Sequence, residues 1–290
     1  MANLKDIRDR IQSVQSTRKI TSAMKMVSAA KLRKAQDAII QLRPYANKLT
    51  EILGNISGSE SVEENPYARE SEINNVLLVT ISSNSSLCGA FNANIIKKVK
   101  EIVVEQFPEQ YANAHLDLLV IGKKAGDGLK KSFKFYDTQN ELFDNLQLGT
   151  VSKLAEELMD LFASKKYDRI DLVYNQFKNA GVQILTQEQY LPIVVPEEDE
   201  TDVKTDYIFE PNKEFITKEL IPNSLKIQLF KALLDSFAAE HGARMTAMHK
   251  ATDNATDLIK QLNLDYNKAR QASITNQILE IVSGAEALKN

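Results

Sequence analysis

The sequence has one cysteine, no tryptophan, and only 10 glycines and 7 prolines among 290 residues. A single cysteine, Cys88, excludes an internal disulfide bond and is typical of a reducing compartment. No uninterrupted apolar run approaches the roughly 18 residues of a membrane-spanning helix. The N-terminus is charged rather than apolar, so we expect no signal peptide. The composition predicts a soluble protein of one or two domains.

The sequence also lacks the motifs of common catalytic and metal sites. It contains neither phosphate-binding glycine pattern, and "GKKAGDG" at 122–128 is interpreted as a flexible turn. No HExxH, CxxC or Asp-rich metal loop occurs, and a nucleophilic role for Ser86 or Cys88 fails because no histidine is placed to support it. The stretch 82–92 lies between a strand and a helix, where anions can bind. We therefore predict no catalytic residue, no cofactor and no metal.

Charge is distributed unevenly along the chain. Residues 1–50 carry eleven Lys and Arg against three Asp, whereas residues 51–210 carry fifteen against twenty-seven acidic residues. A basic arm on an acidic body predicts an acidic surface, nucleic acid or membrane beside the arm. A solvated helix face is the alternative interpretation.

Helical periodicity dominates both ends of the chain. Residues 4–53 keep apolar side chains at steps of three and four, with Pro44 as the first proline, and predict one helix bent near it. Residues 223–288 predict a second helix of about 66 residues, ~100 Å at 1.5 Å each, too long for one small domain. The two helices are expected to pack antiparallel, with Ala2 opposite roughly residue 274.

The middle of the chain alternates between buried strands and amphipathic helices, with Thr150 or Ser152 as a helix cap. The predicted strands fall at 75–83, 116–124, 169–179 and 183–195, and the predicted helices at 91–107 and 151–167. The last two strands form a hairpin around Gly181. This order predicts a Rossmann-like, mostly parallel α/β domain inserted between the helices of a long antiparallel coiled coil. The predicted segments are 1–55 (N-terminal helix), 56–74 (linker), 75–208 (α/β domain) and 209–290 (C-terminal helix).

The C-terminal end carries an apolar stripe that extends past the predicted pairing with the first helix. Its members are Ile274, Ile278, Ile281, Ala285 and Leu288. Leaving four large aliphatic side chains in water forgoes about 6–12 kcal/mol, which rivals the stability of a typical domain. We expect an external apolar socket for this end.

The first helix breaks its own apolar seam. Between 18 and 30 the seam positions hold Arg18, Thr21, Lys25 and Ser28. The nearby apolar residues Ile20, Met24 and Val27 lie on a neighbouring stripe. Counting outward from the predicted helix pairing places this section opposite residues 245–258. Their side chains are also small, so we expect the helix pair to be narrow at this level. We expect a partner around the helices here; a local stutter in the coiled coil is the alternative.

Two segments resemble the gamma subunit of bacterial F-type ATP synthases. Residues 7–36 are similar to the N-terminal helix of that family and residues 240–288 to its C-terminal helix, about 80 of 290 residues together. "LCGAFN" resembles the family segment that opens the first central helix. The family signature has Glu where this chain has Gln277.

The resemblance implies a non-catalytic rotor subunit of the central stalk. Such a subunit couples rotation of a c-ring, driven by protons or sodium ions, to conformational cycling of the catalytic ring. The implied partners are the alpha and beta subunits, the epsilon subunit and the c-ring, with no nucleic acid. Membrane association is then indirect, on the cytoplasmic face of the bacterial plasma membrane. A lone Cys88 argues against the thiol switching of chloroplast members.

The resemblance also implies which residues contact the alpha/beta ring. These are Arg18, Lys19, Ile20, Met24, Lys25, Lys31, Arg270, Gln271, Ile274, Thr275, Gln277, Ile278, Glu280 and Leu288.

Three alternatives remain open from the residues alone. A basic coiled-coil adaptor for nucleic acid or an acidic protein is the first, although residues 1–43 contain no aromatic residue for base stacking. A dinucleotide-dependent enzyme is disfavoured by the missing glycine fingerprint. A membrane-surface helix is disfavoured because it needs bulky apolar side chains on one face, whereas those of residues 18–30 are small.

Overall fold

The computed structural model describes residues 4–56, 66–69, 71–193 and 213–287. A long helix stands at each end of this part of the chain, and strands alternate with shorter helices between them. The elements are α1 (Leu4–Ile56), β1 (Val76–Ile81), α2 (Phe91–Gln106), α3 (Pro108–Ala112), β2 (Leu116–Ile121), α4 (Lys123–Leu129), β3 (Lys134–Gln139), α5 (Leu148–Ala163), β4 (Arg169–Asn179), β5 (Val182–Leu191) and α6 (Lys213–Ala287). The predicted fold class is confirmed.

The five strands form one sheet in the order β3-β2-β1-β4-β5. Strand β1 pairs in parallel with β2 and β4, and β2 pairs in parallel with β3. Strands β4 and β5 pair antiparallel, which confirms the predicted hairpin. Parallel strands need helical crossovers, and the helices that follow β1 and β2 supply them.

Alternating side chains of β1 serve two apolar layers. Val76 and Leu78 belong to the core with α2 and α4, whereas Leu77 and Val79 belong to the core with α5 and α6. Because both faces are covered, all six β1 residues are buried. This explains why five of its six residues are apolar, with Thr80 as the exception.

Three local predictions from the sequence are wrong, and strand β3 is an element that the sequence analysis does not predict. The "GKKAGDG" stretch forms helix α4 instead of a flexible turn, with Gly122 as its N-cap. The residue that caps α5 is Gln147, and neither Thr150 nor Ser152 does so. Helix α6 begins at Lys213, with Pro222 inside it. Pro222 removes one backbone hydrogen bond from the helix, but Ile221 and Leu225 beside it are buried in the apolar core.

The chain divides into two compact units, and both long helices run through the division. One unit comprises Met1–Ser28 with Met245–Asn290, and the other comprises Ala29–Arg244. The sheet and its covering helices belong to the second unit. Most of the predicted linker falls outside the described residues, so the four predicted segments stay a prediction.

Candidate partner-binding surfaces

In the first unit, α1 and α6 meet along the seam that the sequence interrupts. The hydroxyl groups of Thr21 and Thr252 lie 2.8 Å apart, and the Lys25 ammonium lies 3.4 Å from Nδ1 of His249. Residue numbers fall on α6 as they rise on α1, so the helices are antiparallel. The observed pairing lies within three residues of the predicted register.

The interrupted seam is buried despite its polar side chains. Thr21 is 9% exposed and Ser28 is 2% exposed. Each hydroxyl has one proton, so one of the two donates across the seam and the other donates to a carbonyl oxygen of its own helix, that of Arg18 at 3.1 Å or that of Met248 at 2.8 Å. Because these hydroxyls are satisfied locally, the seam keeps its register with small polar contacts in place of bulky apolar ones.

The predicted contact residues on α1 lie on the outer side of this seam. Lys19 and Lys31 are exposed, whereas Arg18, Met24 and Lys25 are half-buried. Ile20 is 60% exposed. The structure places Lys31 in the second unit, and the other five residues in the first.

Two exposed apolar residues lie beside Ile20 but are absent from the predicted ring contacts, although the sequence already places Val27 on the same stripe. Met26 is 65% exposed and Val27 is 58% exposed. Ile20 and Val27 are seven residues apart and therefore share a helix face. That spacing was the available signal. An exposed apolar strip bordered by lysines can contact a partner that is both apolar and acidic.

The C-terminal end of α6 exposes a second apolar surface. Ile274 and Ile278 are 49% and 55% exposed, and Ile281 is 71% exposed. Leu279 and Val282, which the sequence-based list omitted, are 58% and 55% exposed. The predicted stripe is therefore uncovered as far as Ala285, and Leu288 lies outside the described residues.

Polar residues border this second surface. Arg270, Gln271 and Thr275 are exposed, and the Thr275 hydroxyl donates to the carbonyl oxygen of Gln271 at 3.0 Å. Gln277 and Glu280 are also exposed. They line a cleft of about 990 Å³ whose opposite wall includes Leu4 and Ile7 of α1.

The part of the chain that the structure describes offers no other obvious chemistry. It contains no group of three His, Cys, Asp or Glu residues suited to holding a metal ion. No described helix combines the length and apolar character needed to cross a bilayer. Cys88 is buried; its sulfur accepts a hydrogen bond from the Asn92 amide at 3.2 Å. Within the 82–92 stretch, Ser83, Cys88 and Asn92 thus contact one another.

Comparisons with known proteins identify the family of the chain. The ATP synthase family model matches residues 3–288. The chain is 58% identical over 289 residues to the ATP synthase gamma chain of Christiangramia forsetii, covering 99% of each chain. It is 57% identical over 291 residues to that of Flavobacterium psychrophilum, covering 100% of each.

Solved structures share the fold. A chain in a central stalk and c-ring structure of the Tetrahymena thermophila mitochondrial ATP synthase matches with a TM-score of 0.59 and 25% identity, over 80% of this chain and 99% of that one. A chain of the Euglena gracilis mitochondrial enzyme matches with a TM-score of 0.68 and 19% identity, over 98% and 94%. Two long helices around an α/β domain are thus the architecture of a central-stalk subunit. The chain belongs to the ATP synthase family, among its gamma chains.

Proposed function

We propose that this chain turns inside a ring of alpha and beta subunits and thereby couples ion flow to ATP synthesis. The observation that carries the proposal is the exposed apolar end of α6, from Ile274 to Val282. Each such side chain contributes ~1.5–3 kcal/mol when it is fully buried, and these are about half exposed. A hydrophobic sleeve in the ring would recover that free energy.

The interrupted seam is the second proposed contact with the ring. Lys19 and Lys25 supply positive charge, and Ile20 and Val27 supply exposed apolar surface. An acidic and apolar segment of the catalytic ring fits this combination. A contact that must break at every step of rotation should be shallow, and the small residues of the seam keep the helices slim there.

Coupling follows from asymmetry. The α1 and α6 surfaces differ around the helix pair, so they present different faces to chemically equivalent subunits of a ring. Each catalytic site is then held in a different conformation. Rotation exchanges those conformations among the sites, because each site responds to the face in contact with it. The chain supplies no catalytic group in this scheme.

The α/β domain completes the proposed assembly. It would bind the epsilon subunit and the c-ring. Through the c-ring, the chain would be associated indirectly with the cytoplasmic face of the bacterial plasma membrane. The driving ion is proton or sodium. Family membership disfavours the alternative of a nucleic-acid adaptor, which rested on the charge of residues 1–50.

Co-purification tests the proposal. Ile278→Asp combined with Ile281→Asp places two carboxylates on the exposed end, and Ile278→Leu is the matched control. Recovery of alpha and beta subunits with a tagged chain should fall for the aspartate variant, because its charges would be desolvated in an apolar sleeve. Equal recovery for parent, control and aspartate variant would contradict the proposed sleeve.

A further inference from the structure

A buried ion pair on α6 also contacts a loop outside the helix. Arg244 and Glu240, one turn apart, form a salt bridge with each side chain under 10% exposed. The same guanidinium donates to the carbonyl oxygens of Ser85 and Ser86, at 3.1 and 3.3 Å. An arginine has five donors in a rigid fork, so it can hold the carboxylate and a loop together. The helix thereby grips the segment that connects β1 to α2.

The gripped segment is itself fixed. Oδ1 of Asn92 accepts a hydrogen bond from the backbone N–H of Ser83 at 3.1 Å, and the Asn92 amide nitrogen donates to the hydroxyl of Ser83 at 2.9 Å. The hydroxyl of Ser83 also donates to the carbonyl oxygen of Ser85 at 2.7 Å. Cys88 and Phe91 pack against Ala239 of α6. Arg244 therefore holds a braced loop, and a force applied to one is transmitted to the other.

A second loop approaches α6 at the same level. A Cβ atom at Gly242 would lie 3.2 Å from Cα and 3.3 Å from the carbonyl oxygen of Ala180, in the turn between β4 and β5. Glycine weakens a helix interior, and this backbone approach gives its presence a reason. Phe177 of β4 also packs against the cluster at Ala239. Residues 239–244 of α6 thus contact two separate loops of the α/β domain.

The α/β domain also contacts α6 through its apolar core, which includes Ile221, Leu225 and Leu229. From Leu233, the last α6 residue of that core, to Arg244 is about 16 Å along the helix at 1.5 Å per residue. Apolar burial is non-directional, whereas hydrogen bonds fix the relative orientation of the groups that they join. Directional hydrogen bonds at a distant second point resist both tilting and rotation about the helix axis.

We propose that Arg244, with Glu240 and Gly242, is the joint through which the α/β domain and α6 transmit torque to each other. These are positioning residues, since they act through the loops that they hold. The joint rests on the proposed rotor function. Its loss leaves the unloaded turnover of the catalytic ring intact and impairs rotation against a load.

The test uses the complete ATP synthase in membrane vesicles and its detached catalytic ring carrying the same chain. Glu240→Gln combined with Arg244→Met removes the grip on Ser85 and Ser86 without leaving a buried charge unpaired. ATP hydrolysis by the detached ring should stay at the parent level. Ion pumping per ATP hydrolysed by the complete complex should fall at least about twofold, because the joint opens locally under load.

Control variants separate the joint from a general loss of structure. Ser85→Ala with Ser86→Ala keeps both carbonyl acceptors and should pump as the parent does. Arg244→Lys keeps the charge with fewer donors and should pump at an intermediate level; if the double variant fails to assemble, this variant decides. Parent-level pumping in the double variant, or in Arg244→Lys when it decides, overturns the joint. Failure of the parent chain to assemble with alpha and beta subunits overturns the rotor function instead.

Discussion

The hydroxyl groups of Thr21 and Thr252 lie 2.8 Å apart across the seam between α1 and α6. Leucine at either position would be the ordinary choice for a coiled coil. With threonine in both helices, the seam is closed by a hydrogen bond between short side chains. The polar residues that appear to break the seam in the sequence are therefore the contacts that close it.

Thr21→Leu should destabilise this part of the coil by about 1–3 kcal/mol, because the larger side chain overpacks a seam built for a small one. Thr21→Val keeps the shape of the side chain but removes the hydrogen bond to Thr252, and should cost about 0.5–1.5 kcal/mol. Hydrogen exchange of the backbone amides around Thr252 measures both. Equal exchange in the two variants would show that side-chain size at this position is unimportant.

Ile20→Lys should leave the chain as stable as the parent within about 0.5 kcal/mol, because the side chain is 60% exposed. In the assembled complex, the same change should lower ATP-driven ion pumping per ATP hydrolysed, since it alters the surface proposed to meet the catalytic ring. Ile20→Leu is the matched control and should couple normally. Normal coupling in the lysine variant would remove Ile20 from that surface.

His241 should make stability depend on pH. Burial, followed by the charges of Arg244 and Lys31, lowers the pKa of His241 from 6.5 to about 3. Between these pH values His241 binds a proton in the unfolded chain but not in the folded chain. The free energy of unfolding therefore falls as pH drops from 6.5 towards 3. At pH 5 the loss is about 2 kcal/mol.

His241→Gln removes this titration and keeps a polar side chain. Between pH 7 and pH 5, the parent should lose about 2 kcal/mol more unfolding free energy than the variant. Denaturant unfolding at the two pH values measures the difference. Parallel losses in parent and variant would mean that His241 is protonated in the folded chain at pH 5.

Two glycines in the α/β domain should respond oppositely to alanine. At Gly122, where φ is +98°, a Cβ atom would lie 2.2 Å from the carbonyl oxygen of Ser82, so Gly122→Ala should be strongly destabilising. At Gly149 in α5, no heavy atom lies within 4 Å of the added Cβ, so Gly149→Ala should stabilise by about 0.5–1 kcal/mol. Thermal unfolding of the two variants checks both signs.

The main architecture could be predicted because its signals are long and repetitive. Apolar periodicity along residues 4–53 and 223–288 exceeds what a small domain holds, so it indicates two paired helices. The buried strands could be predicted because they are rich in apolar residues, as β1 is. Small residues at matching positions of the two helices predicted the narrow section of the helix pair in which Thr21 and Thr252 lie.

What escaped prediction depends on short or non-local signals. Strand β3 lies at the sheet edge, and its sequence KFYDTQ has no apolar run. Pro222 suggested a helix start because its neighbours' packing is invisible in sequence. The Glu240 and Arg244 spacing is a common helical pair, and nothing local shows that its guanidinium also binds a loop some 160 residues away.

Rotation itself is the most direct test of the central claim. With the alpha/beta ring of the assembled complex fixed to a surface, a probe is attached to this chain through a cysteine introduced at exposed Lys131 of the α/β domain. The account predicts that ATP turns the probe in one direction, with one step for each catalytic site. A probe that stays fixed relative to the ring while ATP is hydrolysed at the full rate would contradict it.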